Sequence, residues 1–471
     1  MASIPGGQYN AFAQGGQQVN VVTTTDGSNL PPPIPGLFNL EVITDGVVPS
    51  GLPAGYQGVA VLSDNGQTIN MAFGNWALDL TGDPTVIGGT GNDTITAGNA
   101  PALIYGGSGS DLIFGGGGPD TIYGGTGPDT IYGGTGPDTI YGGTGSDTIY
   151  GGAGTDLIFG GNGADAIFGG GGADTIQGGS GPETIYGGNG RDVITGGSGS
   201  DLIIGGNGKD TINGGTGADT IYAGHGGDVI TGGSGGGVIF AGDGPDTIVG
   251  GSGPTAIYGG LGTANITGGS GPTTIYGGSG RDIITAGSGQ TMIVGGDGKD
   301  TITGGSGSDM IFAGHGGDLI TGGTGPDLIF GGDGPDTING GAGSDTIYGG
   351  QGPALVHGGS GADQIYLGGG HNTVFGGSGA DTIDGGSGQN HIFAGTGGTL
   401  IQDSGTSGHD TVVGFNQSHG DGITFSGENT STVAHVVATA TVSGGSTTIT
   451  LPDGSTMTLV GISHIDSTFF H

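Results

Sequence analysis

The stretch Gly124-Gly-Thr-Gly-Pro-Asp-Thr-Ile-Tyr132, followed without change by Gly133-Gly-Thr-Gly-Pro-Asp-Thr-Ile-Tyr141, decides the fold. The same nine-residue register runs from residue 88 to residue 402 in 35 copies, with no insertion or deletion. Position eight is isoleucine in 33 copies and valine in the other two, Val356 and Val374, so it is the core position. If position eight points inward in an extended segment, positions seven and nine point outward. Position six is aspartate in 24 copies and glutamate at Glu183, which puts a carboxylate two residues before each buried aliphatic.

The true period is eighteen. Position three is Ser or Thr in 16 of the 18 odd-numbered copies but in only 3 of the 17 even ones. Position nine of the odd copies carries Phe114, Tyr132, Tyr150, Phe168, Tyr186 and eight further aromatics up to Tyr366. Even copies mostly carry Thr or Asn there between Thr195 and Asn339. The spacing therefore predicts two chemically different faces, one with an aromatic ladder and one polar.

These copies resemble the RTX family of calcium-binding proteins, whose repeat reads Gly-Gly-x-Gly-x-Asp-x-aliphatic-x. The resemblance covers the whole 88–402 block. It implies an all-β chain, a long parallel β-roll (a β-solenoid) of about 17 turns at 18 residues per turn, with small β caps at both ends. Two nonapeptides make one turn, so copies two apart in sequence stack on the same side.

Charge points to cations. There are 41 Asp and Glu against 4 Lys and Arg, a formal net charge of −37. Nucleic acid is excluded as a partner because phosphate binding needs Lys and Arg. Acidity this lopsided repels itself and needs bound cations to allow a compact fold. The core is also thin: one aliphatic per nonapeptide buries too little apolar surface to offset ~1–2 kcal/mol of backbone entropy per residue, which glycine worsens. Backbone carbonyls and Asp carboxylates from glycine-rich loops make an all-oxygen donor set, which favours Ca²⁺ over Zn²⁺ or Cu²⁺. The candidate metal ligands of the odd copies are Asp93, Asp111, Asp129, Asp147, Asp165, Glu183, Asp201 and Asp219, then Asp309, Asp327, Asp345, Asp363 and Asp381. Those of the even copies are Asp120, Asp138, Asp156, Asp174, Asp192, Asp210, Asp228 and Asp246, then Asp282, Asp300, Asp318 and Asp336. With one ion between carboxylates two copies apart, about 21 ions are expected. Asp as a mere turn former is the competing reading, but Asn or Ser would serve a turn without the mutual repulsion.

The pattern lapses in places. Gly237, Thr255, Thr273 and Thr291 interrupt the odd ladder and Ala264 the even one, while Ala354, Asn372, Asn390 and Thr399 replace carboxylates near the end. The middle lapse is either a calcium-poor band with threonine ladders or a contact with another molecule. All four basic residues, Arg191, Lys209, Arg281 and Lys299, sit at position five of even copies, the second pair 90 residues after the first. They mark an internal duplication and can also dock an acidic neighbour.

Cysteine is absent, which excludes disulfides and thiolate metal sites. No apolar run approaches the ~20 residues of a membrane-spanning helix, and residues 1–16 lack the parts of a secretory signal. Residues 1–35 read as a flexible arm and 36–87 as a small β cap or assembly segment that shields the end of the solenoid. Residues 403–471 read as a β cap with alternating stretches at 423–425, 433–442, 447–451 and 457–462. The ending Ser467-Thr-Phe-Phe-His471 resembles the uncleaved signals by which RTX proteins leave through type I (ABC) exporters. No H-E-x-x-H, G-x-S-x-G, Walker or Rossmann pattern stands outside the repeat, so no catalytic residue is assigned and no enzyme is expected. The sequence reading is a secreted, extracellular or cell-surface structural protein that self-associates into a layer, filament or matrix. A calcium-dependent adhesin that binds surface polysaccharide is the alternative, and an enzyme with a site in a flank is a remote one.

Overall fold

The computed structural model describes the backbone of six strands between residues 7 and 81, then residues 85–404 and 408–471. The chain divides into two units, 1–235 and 236–471. Both are built the same way. In the first unit Thr121–Thr126 pairs in parallel with Thr139–Thr144, with Ile122 opposite Ile140. The intervening Thr130–Gly134 pairs instead with Thr148–Ala153 in the other sheet, with Ile131 opposite Ile149. In the second unit Thr301–Gly305 pairs with Leu319–Gly323, and Met310–His315 with Leu328–Asp333. Successive nonapeptides thus alternate between two parallel sheets, which is the 18-residue turn read from position three.

Turns this tight need glycine. Gly125 has φ +117°, and a Cβ there would lie 2.0 Å from the carbonyl oxygen of Gly107 one turn away. A side chain is therefore excluded both by the backbone conformation and by the neighbouring loop. The position-eight aliphatics between 88 and 402 are all 0–1 % exposed, and they form the core.

The solenoid has about 19 turns, against the 17 expected. Parallel pairing continues beyond the nonapeptides: Gly58–Leu62 pairs with Ala77–Thr81, which pairs with Thr94–Thr96. Downstream, Gln389–Phe393 pairs with His409–Val413, and Leu400–Asp403 with Gly422–Phe425. Strand stacking requires only a return of the chain after about one turn, so it outlasts the strict repeat. Within the segment read as an arm, Gly7–Phe12 and Gln18–Thr24 form an antiparallel pair.

The C-terminal segment corrects one expectation. Residues 433–442 alternate in hydrophobicity, yet the chain forms a helix over Thr430–Thr439. The Asn429 side chain accepts from the N–H groups of Ser431 and Thr432, and the Thr432 side chain answers the Asn429 N–H, a capping box that starts the helix. Val433 and Val436, three apart, then share its buried face. Ser446–Thr450 and Thr456–Leu459 form an antiparallel hairpin, whose second strand joins His409–Val413 in parallel. Among the described residues, no helix is long and apolar enough to cross a membrane.

The outward rings stack in register. Phe114, Tyr132, Tyr150, Phe168 and Tyr186 form one run, with centroids 4.7–4.9 Å apart. The division into an aromatic face and a polar face holds only in part, because the even copies carry rings as well. Tyr105, Tyr123, Tyr141 and Phe159 stack in the first unit and His357, Phe375 and Phe393 in the second.

Candidate calcium ladders

Each nonapeptide turns three positions inward, as at Gly124, Asp129 and Ile131. The isoleucine fills the core and the glycine makes room for the carboxylate. At Gly106 an added Cβ would lie 2.7 Å from Asp111 Oδ2 and 2.5 Å from the Gly124 carbonyl oxygen. Two oxygens, one from the side chain and one from the next turn's backbone, therefore converge on the space beside Gly106.

All 25 candidate ligands are buried, each 1–3 % exposed, and in three of their copies Ala223, Ala241 and Ala313 stand in place of the glycine. Along the aspartate ladders one oxygen has a clear task. The Asp111 N–H donates to Asp129 Oδ1 at 2.8 Å, and the Asp129 N–H donates to Asp147 Oδ1 at 2.8 Å. The same link recurs from Asp120 to Asp228 on the even side and from Asp309 to Asp381 on the odd side. The other oxygen has none: Oδ2 of every ladder aspartate, and both oxygens of Glu183, are buried without a hydrogen-bond partner. A buried carboxylate without compensation is costly. Burial pushes Asp129 and Asp138 up to about 7, outweighing the N–H bonds from Asp111 and Asp120, and neighbouring ladder carboxylates add to the rise. Burial, and then Asp201, pushes Glu183 up to about 9.

Orphaned oxygens in a row, with carbonyls beside them and no nitrogen or sulfur donor, fit a hard cation such as Ca²⁺. Bound there, calcium would supply the positive charge that the carboxylates lack. Among the described residues no three His, Asp or Glu side chains converge as one metal centre. The ladder instead supplies carboxylates from successive turns, and the backbone must complete the coordination.

The lapses in the pattern are self-satisfied turns. Asn372 Oδ1 accepts from the Ala354 N–H at 2.8 Å, and Asn372 Nδ2 donates to Asn390 Oδ1 at 2.9 Å. Asn390 Nδ2 in turn donates to the Gly385 carbonyl at 2.6 Å. The amide nitrogen does internally what an ion would do for Oδ2. Thr255, Thr273 and Thr291 stack opposite one another on paired strands, but the hydroxyls of Thr255 and Thr273 do not bond to each other. Their hydroxyls donate back to the Gly253 and Gly271 carbonyls at 3.0 Å, and their N–H groups turn to the Pro272 and Gln290 carbonyls at 3.1 Å.

Two buried carboxylates escaped the nonapeptide register. Asp421 accepts from the N–H groups of Thr399 at 2.9 Å and Asn416 at 2.7 Å. Asp410 accepts from Asn390 Nδ2 at 2.7 Å, and burial raises it to about 6. The signal that finds them is the triplet Asp-x-aliphatic, kept in Asp410-Thr-Val412 and Asp421-Gly-Ile423 after the nine-residue spacing is lost.

The profile of the RTX calcium-binding nonapeptide repeat matches the chain in overlapping segments from residue 81 to residue 400, more than half of its length. This chain belongs to the RTX calcium-binding repeat family. A comparison with curated protein sequences found no match. Among solved structures, the RTX chain is similar to the extracellular lipase LipA from Serratia marcescens at 21 % identity, with a TM-score of 0.17. That match spans 43 % of this chain and 40 % of the lipase. The RTX roll is a calcium-binding β-solenoid.

The asparagine turns yield a prediction. Asp129→Asn with Asp147→Asn is expected to lower the calcium stoichiometry by about three, one for each ladder step that loses a carboxylate. The metal-free variant should also be more stable than the metal-free parent, because Nδ2 can donate to the carbonyl that Oδ2 repels. Elemental analysis would measure the first, and the pH at which the calcium-free chains gain β-sheet circular dichroism the second; an unchanged ion count would remove these residues from the ligand set.

Proposed function

We propose that this protein is a secreted structural element, stiffened by calcium at the carboxylates of its two ladders, whose sheet faces assemble side by side into a surface layer, filament or extracellular matrix. The observation that carries this reading is where the charge lies. Outward positions seven and nine of all 35 nonapeptides hold no Lys, Arg or Glu and a single Asp, Asp384, in a chain of net charge −37. Asp384 is itself buried. Within the repeat the charge lies at the turns and strand ends, where calcium neutralises that of the ladders, and the outward positions of the faces are left neutral. Uncharged sheet faces that present apolar groups favour contact with another surface.

The even-copy face is the better contact. Aromatic rings of the odd copies cover one another in stacks, whereas Ile283 and Leu319 are each 50 % exposed, with Val193 and Val229 in the same register position of the first unit nearly as open. Threonines 285, 303 and 321 run beside Ile283 and Leu319 as small, regular neighbours. Export through a type I exporter belongs to the same proposal. Phe469 and Phe470 are buried against Phe415 and Phe425 in the folded chain, so an exporter would meet them only before folding.

Ile283→Lys with Leu319→Lys tests the contact. In millimolar calcium the parent should form ordered assemblies in electron microscopy and sediment as large particles. The variant should keep its β-sheet circular dichroism and remain a monomer. A parent that folds with calcium and stays monomeric overturns the assembly reading.

A further inference from the structure

The break in the odd ladder opens a site. Where Thr255, Thr273 and Thr291 replace carboxylates, a surface hollow of about 630 Å³ lies over four successive turns of the second unit. Its walls are Pro254 and Pro272 on one side and Met292 and Met310 at one end, with Ala256 and Thr274 between. The hollow is shallow and open to solvent, which suits an extended chain lying along the surface rather than an enclosed small molecule. Position seven is methionine only in these two of the 35 copies. Methionine is the side chain that moulds itself to a variable apolar surface.

The donors that remain limit the occupant. The threonine hydroxyls of the floor are committed to the turn carbonyls, and the backbone N–H groups of Thr255 and Thr273 to the next turn. A peptide strand therefore finds no free backbone to pair with. The Thr274 hydroxyl, the Gln290 amide and the Ser308 hydroxyl also line the hollow, and none of these side chains has a hydrogen-bond partner among the described residues. No charged side chain lines it. A cation would find no carboxylate there, and an anion no Lys or Arg. On the same strands, two residues beyond Ala256 and Thr274, Tyr258 and Tyr276 stand outward as parallel rings 4.9 Å apart. The combination is an apolar surface of prolines, methionines and tyrosine edges with scattered neutral hydrogen-bonding groups.

We propose that this hollow binds a neutral polysaccharide whose equatorially linked sugar rings present flat apolar faces and hydroxyl edges. Sugar faces lie against the methionines and prolines, and hydroxyls reach Gln290, Ser308 and Thr274. The site goes beyond the assembly reading and is independent of it, since it belongs to odd copies whereas the assembling face belongs to even ones. The loss of calcium ligands at Thr255, Thr273 and Thr291 gains a purpose: it removes the charge that a neutral glycan would have to desolvate.

The test uses full-length protein in millimolar calcium, labelled at the methionine methyls, in the Ile283→Lys, Leu319→Lys background so that assembly cannot mask the result. Cellohexaose is expected to shift the Met292 and Met310 methyl resonances and leave that of Met457 in place, while a hexamer of galacturonate has no effect. Ala256→Trp with Thr274→Trp should weaken cellohexaose binding at least tenfold without altering the calcium-dependent circular dichroism. Gln290→Ala with Ser308→Ala, which adds no bulk, should weaken it several-fold. The proposal is overturned if neither cellohexaose nor chitohexaose moves the two methyls, if galacturonate moves them equally, or if the tryptophan variant folds and still binds.

Discussion

Removing calcium is expected to unfold the RTX roll: in EGTA the β-sheet circular dichroism should disappear, and it should return on titration with calcium. Two features of the chain lead to this. The core is one aliphatic per nonapeptide, and the ladder carboxylates are buried with an oxygen unsatisfied. Without a cation, each turn sets a desolvated negative charge beside the next. A ligand that binds only the folded state stabilises it by RT ln(1 + [L]/Kd), about 1.4 kcal/mol per site at ten times Kd. Over about 21 sites that sum exceeds the ~5–15 kcal/mol of a typical domain, so a roll unstable by itself becomes firmly folded. Because many ions bind to one folding unit, the transition should occupy a narrow range of calcium concentration. A chain that keeps its β signal in EGTA at neutral pH would show that the carboxylates are satisfied without metal.

The repeat was legible because its rule is local. A glycine pair, a carboxylate at position six and an aliphatic at position eight place each nonapeptide in the roll without knowledge of its neighbours, and the alternation at position three pairs copy with copy. What the repeat could not show was where Oδ1 and Oδ2 go. That depends on the N–H group of the residue eighteen positions earlier, as between Asp111 and Asp129. The helix at 430–439 was legible but misread: Val433, Val436 and Val437 fall at helical spacing behind the Asn429 cap, although β-branched valines by themselves favour a strand. The hollow at Pro254 and Met310 was half visible. The missing carboxylates marked the turns, but the space appears only once the threonine hydroxyls are seen folded back on their own loops.

The second large effect has the opposite sign to ordinary acid denaturation. In calcium-free buffer, acidification from neutral pH toward pH 5 is expected to fold the chain. An unfolded aspartate titrates near ~3.9, whereas burial holds Asp120, Asp147, Asp174, Asp300, Asp327 and Asp381 at about 6, and Asp129 and Asp138 at about 7. Between these values the folded chain binds protons that the unfolded chain has released. Stability must then fall as pH rises, and it is greatest below the unfolded pKa. The metal-free roll should therefore lose its β signal as pH passes upward through about 6 to 7, with many carboxyls titrating together. Calcium at neutral pH takes the place of those protons, so the calcium-loaded roll should be insensitive across the same window and release ions only in acid. The sequence pI is about 4.1, so light scattering must accompany the measurement to separate folding from precipitation near that pH. The Asp129→Asn, Asp147→Asn variant sharpens the test: having lost two raised carboxyls, its metal-free transition should be shallower in pH. A metal-free chain that is folded at pH 8 and unfolds on acidification toward pH 5 would mean that the carboxylates are held charged by partners inside the fold, and the cation argument would fail with them.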